Sequence, residues 1–301
     1  PGQVDVLLDG TVGSVVPGEA TATAVLSVTS SGLTMNGTAI KSLIAELPVR
    51  LKAGPKTAEI VFTDDSRLAL GGVGFAGAAP PFDVSAGLSG RIALAWPDSG
   101  PEPGLTVEHA LTIRPAPVTV AGTTALRVAL GRIDATGKLS AASAYSGDVT
   151  IDSGRLSRGD LVGAVEGLAV RLTTGSDFAS PAARITIEAL RDVSAVQAPG
   201  SYSLAATVRR EGDGLAFQAG IGGFGIQKLA AVNGVHDLVG HVGHAALSIP
   251  DLSIGSDGLR LDTVLPALGA VRNLAGTIGG TARLDWRGDR LDGRATLRLA
   301  G

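Results

Sequence analysis

What most constrains this chain is a two-residue rhythm. Across residues 21–29 the even positions Ala22, Ala24, Leu26 and Val28 are apolar, while Thr21, Thr23, Ser27 and Thr29 are polar. The alternation returns in Ala58/Ile60/Phe62, Ile92/Leu94/Trp96, Leu105/Val107/Leu111/Ile113 and Leu126/Val128/Leu130. It recurs in Ile185/Ile187, Tyr202/Leu204/Ala206/Val208, Leu215/Phe217, Ala282/Leu284/Trp286 and Ala295/Leu297/Leu299. A period of two sends successive side chains to opposite faces of an extended backbone. The pattern therefore predicts strands with one apolar and one wet face, and it favours antiparallel neighbours.

Between these runs lie residues suited to tight turns. Asp64-Asp65-Ser66, Pro97-Asp98-Ser99-Gly100, Glu211-Gly212-Asp213-Gly214 and Arg287-Gly288-Asp289-Arg290 each read as a link between two strands. Helical signals are sparse. Short helical turns are expected at 42–46 and 264–273, limited by Pro48 and Pro266. The alternation recurs almost to the end without an evident linker, so residues 1–301 read as one continuous repeat-like segment. Its first residue is not methionine and it stops just after an alternating run, so the expectation is a piece of a longer protein whose anchor lies elsewhere. No apolar run reaches the roughly 18 residues of a spanning helix.

Composition narrows the function. Hydrophobic residues make up 45% of the chain but aromatics only 3%, and the net charge is −3. Nucleic acid, which calls for a basic surface and stacking side chains, is thereby an unsuitable partner. With no cysteine there is neither a thiolate metal site nor a disulfide scaffold. Such an apolar chain, only 18% charged, is not disordered as a whole. The core it builds is one of small aliphatic side chains.

Chemical motifs are weak. Gly72/Gly74/Gly77 and Gly220/Gly222/Gly225 match G-x-G-x-x-G, but neither has the strand-to-helix setting of a dinucleotide fingerprint, and both read as loop glycines. Gly137-Lys138 is followed by Leu139, which is not a phosphate-binding loop. His236, His241 and His244 cluster in sequence, yet on a single strand His241 would point away from the other two, so no metal site is expected. His109 falls on the apolar parity between Val107 and Leu111 and reads as a satisfied core histidine. Gly255-Ser256-Asp257-Gly258-Leu259 is a single partial copy of a calcium repeat that works only in stacks. There is no G-x-S-x-G nucleophile elbow, and the carboxylates lie mostly in turns; neither a catalytic residue nor a cofactor is assigned. Two Arg-Gly-Asp tripeptides, ending at Asp160 and Asp289, support an alternative reading as a structural or adhesive β-solenoid of a secreted surface protein.

A weak internal likeness links residues 44–51 to 165–172, and 90–96 to 280–286, with the two tryptophans at equivalent places. Residues 274–286 and 288–299 resemble the β-rich repeats of the AsmA-like envelope proteins, a superfamily including TamB, YhdP and YdbH, with YdbH the nearest in style. The resemblance covers most of the chain loosely and its last thirty or so residues best. It implies an all-β fold: an elongated, mostly antiparallel sheet curled into an open groove, with few short helices. It also implies a periplasmic location between inner and outer membranes and a role in carrying phospholipid. By the same resemblance, strand pairing would join it to other segments of the same protein and to an outer-membrane lipoprotein. On this reading the residues expected to face the groove are Leu94, Trp96, Leu111, Ile113, Leu204, Val208, Leu284 and Leu297.

Overall fold

The computed structural model describes residues 3–35, 38–75, 81–96, 104–120, 126–158, 161–192, 201–223, 226–255, 275–288 and 290–301. Nearly all of them are in antiparallel strands, and the one helical element among them is a 3-10 turn at Ser176–Phe178. The chain divides into two units, one of Pro1–Val162 with Gly175–Ala179, the other of Gly163–Thr174 with Ser180–Gly301.

The first unit contains β1 (Gln3–Val16), β2 (Glu19–Met35), β3 (Thr38–Ala53), β4 (Thr57–Phe75) and β5 (Phe82–Ala95). These are followed by β6 (Thr106–Pro115), β7 (Val118–Val120), β8 (Leu126–Leu130), β9 (Ile133–Leu139) and β10 (Tyr145–Arg158). From β1 to β6 each strand pairs antiparallel with the next. The β6–β9 and β7–β8 ladders keep one register, as do β9 and β8 against β10. Hence β6 and β7 form one long lane broken at Ala116-Pro117, and β8 and β9 another broken at Gly131-Arg132. Pro117 has no N–H to give a ladder, which accounts for the first break.

The second unit repeats the plan. It comprises β11 (Leu161–Thr173), β12 (Ala182–Asp192), β13 (Tyr202–Glu211), β14 (Gly214–Gly223), β15 (Ile226–Asp237), β16 (Val242–Ile254), β17 (Gly276–Arg287) and β18 (Arg290–Ala300). Each again pairs antiparallel with its successor. The expected turns at Gly212-Asp213 and after Arg287 are two-residue hairpin loops, closed by the Glu211–Gly214 and Arg287–Arg290 pairs. One tryptophan belongs to each unit: Trp96 just beyond β5, and Trp286 in β17.

Three sequence expectations are corrected. Asp64-Asp65-Ser66 is a bulge inside β4, not a turn: β3 pairs on both sides of it, Val49 with Phe62 and Glu46 with Arg67. The bulge keeps the apolar parity of Ile60 and Phe62 in step with that of Leu68 and Leu70. Residues 42–46 lie within β3, where Ala45 faces Val28 and Leu68, and Val49 faces Ala24 and Phe62, apolar partners on both flanking strands. Gly72 and Gly74 are in β4, and Gly220 and Gly222 in β14, so none of these four is a loop glycine. The expectations at 97–100 and 264–273, together with Gly77, Gly225, Asp160, Asp289 and residues 256–259, lie outside the described residues.

Among the described residues the buried hydrophobic side chains are mostly small, Ala24, Ala45, Val49, Val73, Ala189 and Ala245, with Phe62 and Leu252 the largest. The main buried cluster, Ala24, Val49 and Phe62, is bordered by Leu47, Leu51, Ile60, Leu88, Ile92 and Leu111, all from neighbouring strands of the first unit's sheet. These side chains pack beside one another along one face.

Candidate functional site: two apolar sheet faces

Directly opposed residues of antiparallel strands share a face, so the register traces each face across the strands. In the first unit one row runs Gly10, Ala24, Val49, Phe62, Gly90, Leu111, Ala135, Val149, from β1 to β10. Parallel rows on that face hold Leu94 with Ala58 and Val107, and Ile113 with Leu88 and Ile133. Leu94, Leu111 and Ile113 therefore share one apolar face. Trp96 lies just past the end of β5, where its backbone N–H bonds the Lys56 carbonyl at 3.1 Å and its side chain is 38% exposed.

The second unit has an equivalent row. It runs Leu172, Ala183, Val208, Phe217, Gly234, Ala245, Leu284, Gly293, one residue from each of the eight strands. Leu204 pairs with Ile221, and Leu297 with Gly280, on the same face. All four residues expected from this half thus share a face. Leu284 and Leu297 are exposed at 42% and 60%.

The reverse face of this sheet is polar, with the row Arg184, Thr207, Gln218, Asn233, Ala246, Arg283, Arg294. Shallow depressions lie on that side. One of about 480 Å³ has a mixed lining, with Asp237, Asp285, Arg287, Arg290 and Asp292 beside Val235, Val242 and Trp286. The apolar faces are only partly open: Ala24, Val49 and Phe62 of the first row and Ala245 of the second are buried, while Leu284 and Leu297 are exposed.

Two polar clamps interrupt the apolar faces, and sequence reading missed both. His109 Nε2 lies 3.0 Å from the Tyr145 hydroxyl, and its Nδ1 lies 3.3 Å from the Ala135 carbonyl oxygen. With the proton on Nδ1, the ring donates to that carbonyl and accepts from the tyrosine. Gly137 lies between the two rings, and a Cβ there would meet both. In the second unit Trp286 Nε1 donates to His236 Nδ1 at 3.0 Å, their rings stacked at 5.9 Å, across Gly243. A Cβ at Gly243 would meet the indole. Each clamp joins three strands, and each glycine is where a ring crosses the middle one. His109 has the two partners expected of a satisfied histidine, but it is half-buried and not a core residue.

The histidine cluster does not converge. β15 and β16 form a hairpin in which His236 opposes Gly243 and His244 opposes Val235, which puts the two imidazoles on opposite faces. His241 is in the turn, with φ of 49°. Among the described residues no group of three or more metal-ligating side chains comes together. The hairpin is held instead by Asp237, whose Oδ1 accepts N–H bonds from Val239 at 2.8 Å and Gly240 at 3.0 Å. Those N–H bonds, Gly240 first, hold the carboxyl below its ordinary value of 3.8. The charged form is thus favoured in the folded turn; its contribution is complete above the unfolded carboxylate range and is lost as pH falls through the lower folded value. The amide proton shifts of Val239 and Gly240, followed by NMR, should titrate together with a midpoint below 3.8.

No family model, curated protein or solved structure matches the chain. Its function has to be argued from the two faces.

Proposed function

We propose that each apolar sheet face shields phospholipid acyl chains from water, and that the protein is a segment of a periplasmic, non-enzymatic conduit between the inner and outer membranes. The observation that carries this reading is the full-width apolar row in each unit, which in the second leaves Leu284 and Leu297 exposed. Apolar surface left without a packed layer is unfavourable by about 25 cal/mol per Å², so it calls for a covering substance. A 16-carbon acyl tail in water faces a penalty on the order of 12 kcal/mol, and it is a fitting cover. Small aliphatic side chains such as Ala, Val and Leu offer a smooth contact along which a tail slides. The polar row of the reverse face, with Arg184, Arg283 and Arg294, offers it no such contact.

The test is site-specific photocrosslinking. A benzophenone side chain at Leu94 or Leu204 should capture phospholipid from vesicles or cells, while the same group at Ala93 or Ala205, which face the other way, should not. Equal capture at both sets of positions, or capture of protein alone, would remove the conduit reading.

A further inference from the structure

Among the described residues β1 pairs only with β2, and β18 only with β17, so each presents a free edge. All fourteen residues of β1 and all eleven of β18 are exposed. Natural sheet edges are usually guarded by charged side chains, lysine above all, or by proline, bulges or brevity. Neither strand contains lysine or proline. The charges of the two strands are opposite: β1 has Asp5 and Asp9 and no basic residue, whereas β18 has Arg290, Arg294 and Arg298 against Asp292 alone.

The backbone fixes which groups are free. A two-residue hairpin closes on a hydrogen-bonded pair, so Arg290 and every second residue after it aim N–H and C=O at β17. Leu291, Gly293, Ala295, Leu297 and Leu299 then aim theirs outward. In β2 the same count from Glu19 reaches Thr23, which opposes Thr11, so Thr11, Asp9, Leu7 and Asp5 face β2. Val4, Val6, Leu8, Gly10 and Val12 present the free groups of β1.

The geometry points to antiparallel pairing of β1 from one copy of this chain with β18 from another, Val6 opposite Leu297. In that register Val4 meets Leu299 and Val12 meets Leu291, every one of these being a pair with outward amides on both strands. On the reverse face Asp5 meets Arg298 and Asp9 meets Arg294. Arg298 is now 3.3 Å from Asp251, a bond between exposed groups that the new partner would share. The eleven residues of β18 match Gln3 to Gly13, ending where the bulge between Val12 and Ser14 disturbs the β1–β2 ladder. A shift of one residue mismatches the faces and the hydrogen bonds together. Because the two surfaces differ, each copy keeps one free edge and the assembly grows head to tail. This inference is independent of any lipid.

The chain has no cysteine, so introduced thiols report cleanly. Leu7 and Thr296, exposed and opposed in this register, are the probes. Mixing L7C with T296C under mild oxidation should give a disulfide-linked dimer, and L7C with A295C, which lies on the other face, should give none. Sedimentation velocity should show mass rising with concentration. D5R/D9R and R294D/R298D should each weaken association about tenfold or more, since each turns two opposite-charge pairs into like-charge ones. A mixture of the two charge variants should recover it. The proposal is overturned by a monomer at every concentration, by crosslinking that ignores register, or by an intrachain disulfide in dilute L7C/T296C, which would mean that one chain closes on itself. Circular dichroism on each variant checks that the strands persist.

Discussion

Phe62→Ala is expected to lower the stability of the first unit by about 3 kcal/mol, the lower end of the range for removing a buried phenylalanine. The ring is 9% exposed and belongs to the one cluster where Ala24 and Val49 are also buried. Across the ladder from it stands Gly90, which has no side chain to move into the space. The buried neighbours of Phe62, Ala24 and Val49, are few and small, so the loss stays near the lower end. Leu297→Ala, at a residue already 60% exposed, should change stability by less than about 1 kcal/mol. Urea unfolding of the two variants measures the contrast. A loss below about 1 kcal/mol for Phe62→Ala would show that the cluster is not what holds the first sheet.

The second large effect concerns the apolar face. Leu284→Asp combined with Leu297→Asp puts two carboxylates on a band argued to meet hydrocarbon. Both positions are exposed, so the strands should survive. An acyl chain crossing them would strip water from ionised groups, and bound phospholipid should fall at least about tenfold, equivalent to about 1.4 kcal/mol. The control, Thr281→Asp with Arg283→Asp, changes the reverse face of the same strand and should leave lipid binding unaltered. Native mass spectrometry after incubation with phospholipid vesicles gives the ratio. Equal binding by the two double variants would separate the lipid from this face.

The strands were legible because their signal is local. Alternation in Tyr202/Leu204/Ala206/Val208 or Ala282/Leu284/Trp286 specifies both an extended backbone and the face each residue takes, and seven of the eight expected face residues lie on apolar rows. Trp96 lies just past its strand because β5 ends at Ala95. What failed depends on neighbours. Two aspartates between apolar runs suit a turn and a bulge equally, and the choice in β4 belongs to the partner strands, which continue past it. His236 and His244 are close in sequence but separated by a hairpin, which reverses the direction count on which a single-strand reading depends. The clamps were hidden for the same reason. Tyr145 stands 36 residues from His109, and Trp286 50 residues from His236, and the intervening glycines matter only once the strands are side by side.

The division of the two tryptophans between the units has a practical consequence. Indole emission can be split by unit: a Trp96→Phe chain glows only from the second sheet, and a Trp286→Phe chain only from the first. Unfolding followed by light in such single-emitter chains would then time the loss of each sheet separately. A denaturation curve of the unaltered chain becomes the sum of two signals of known origin.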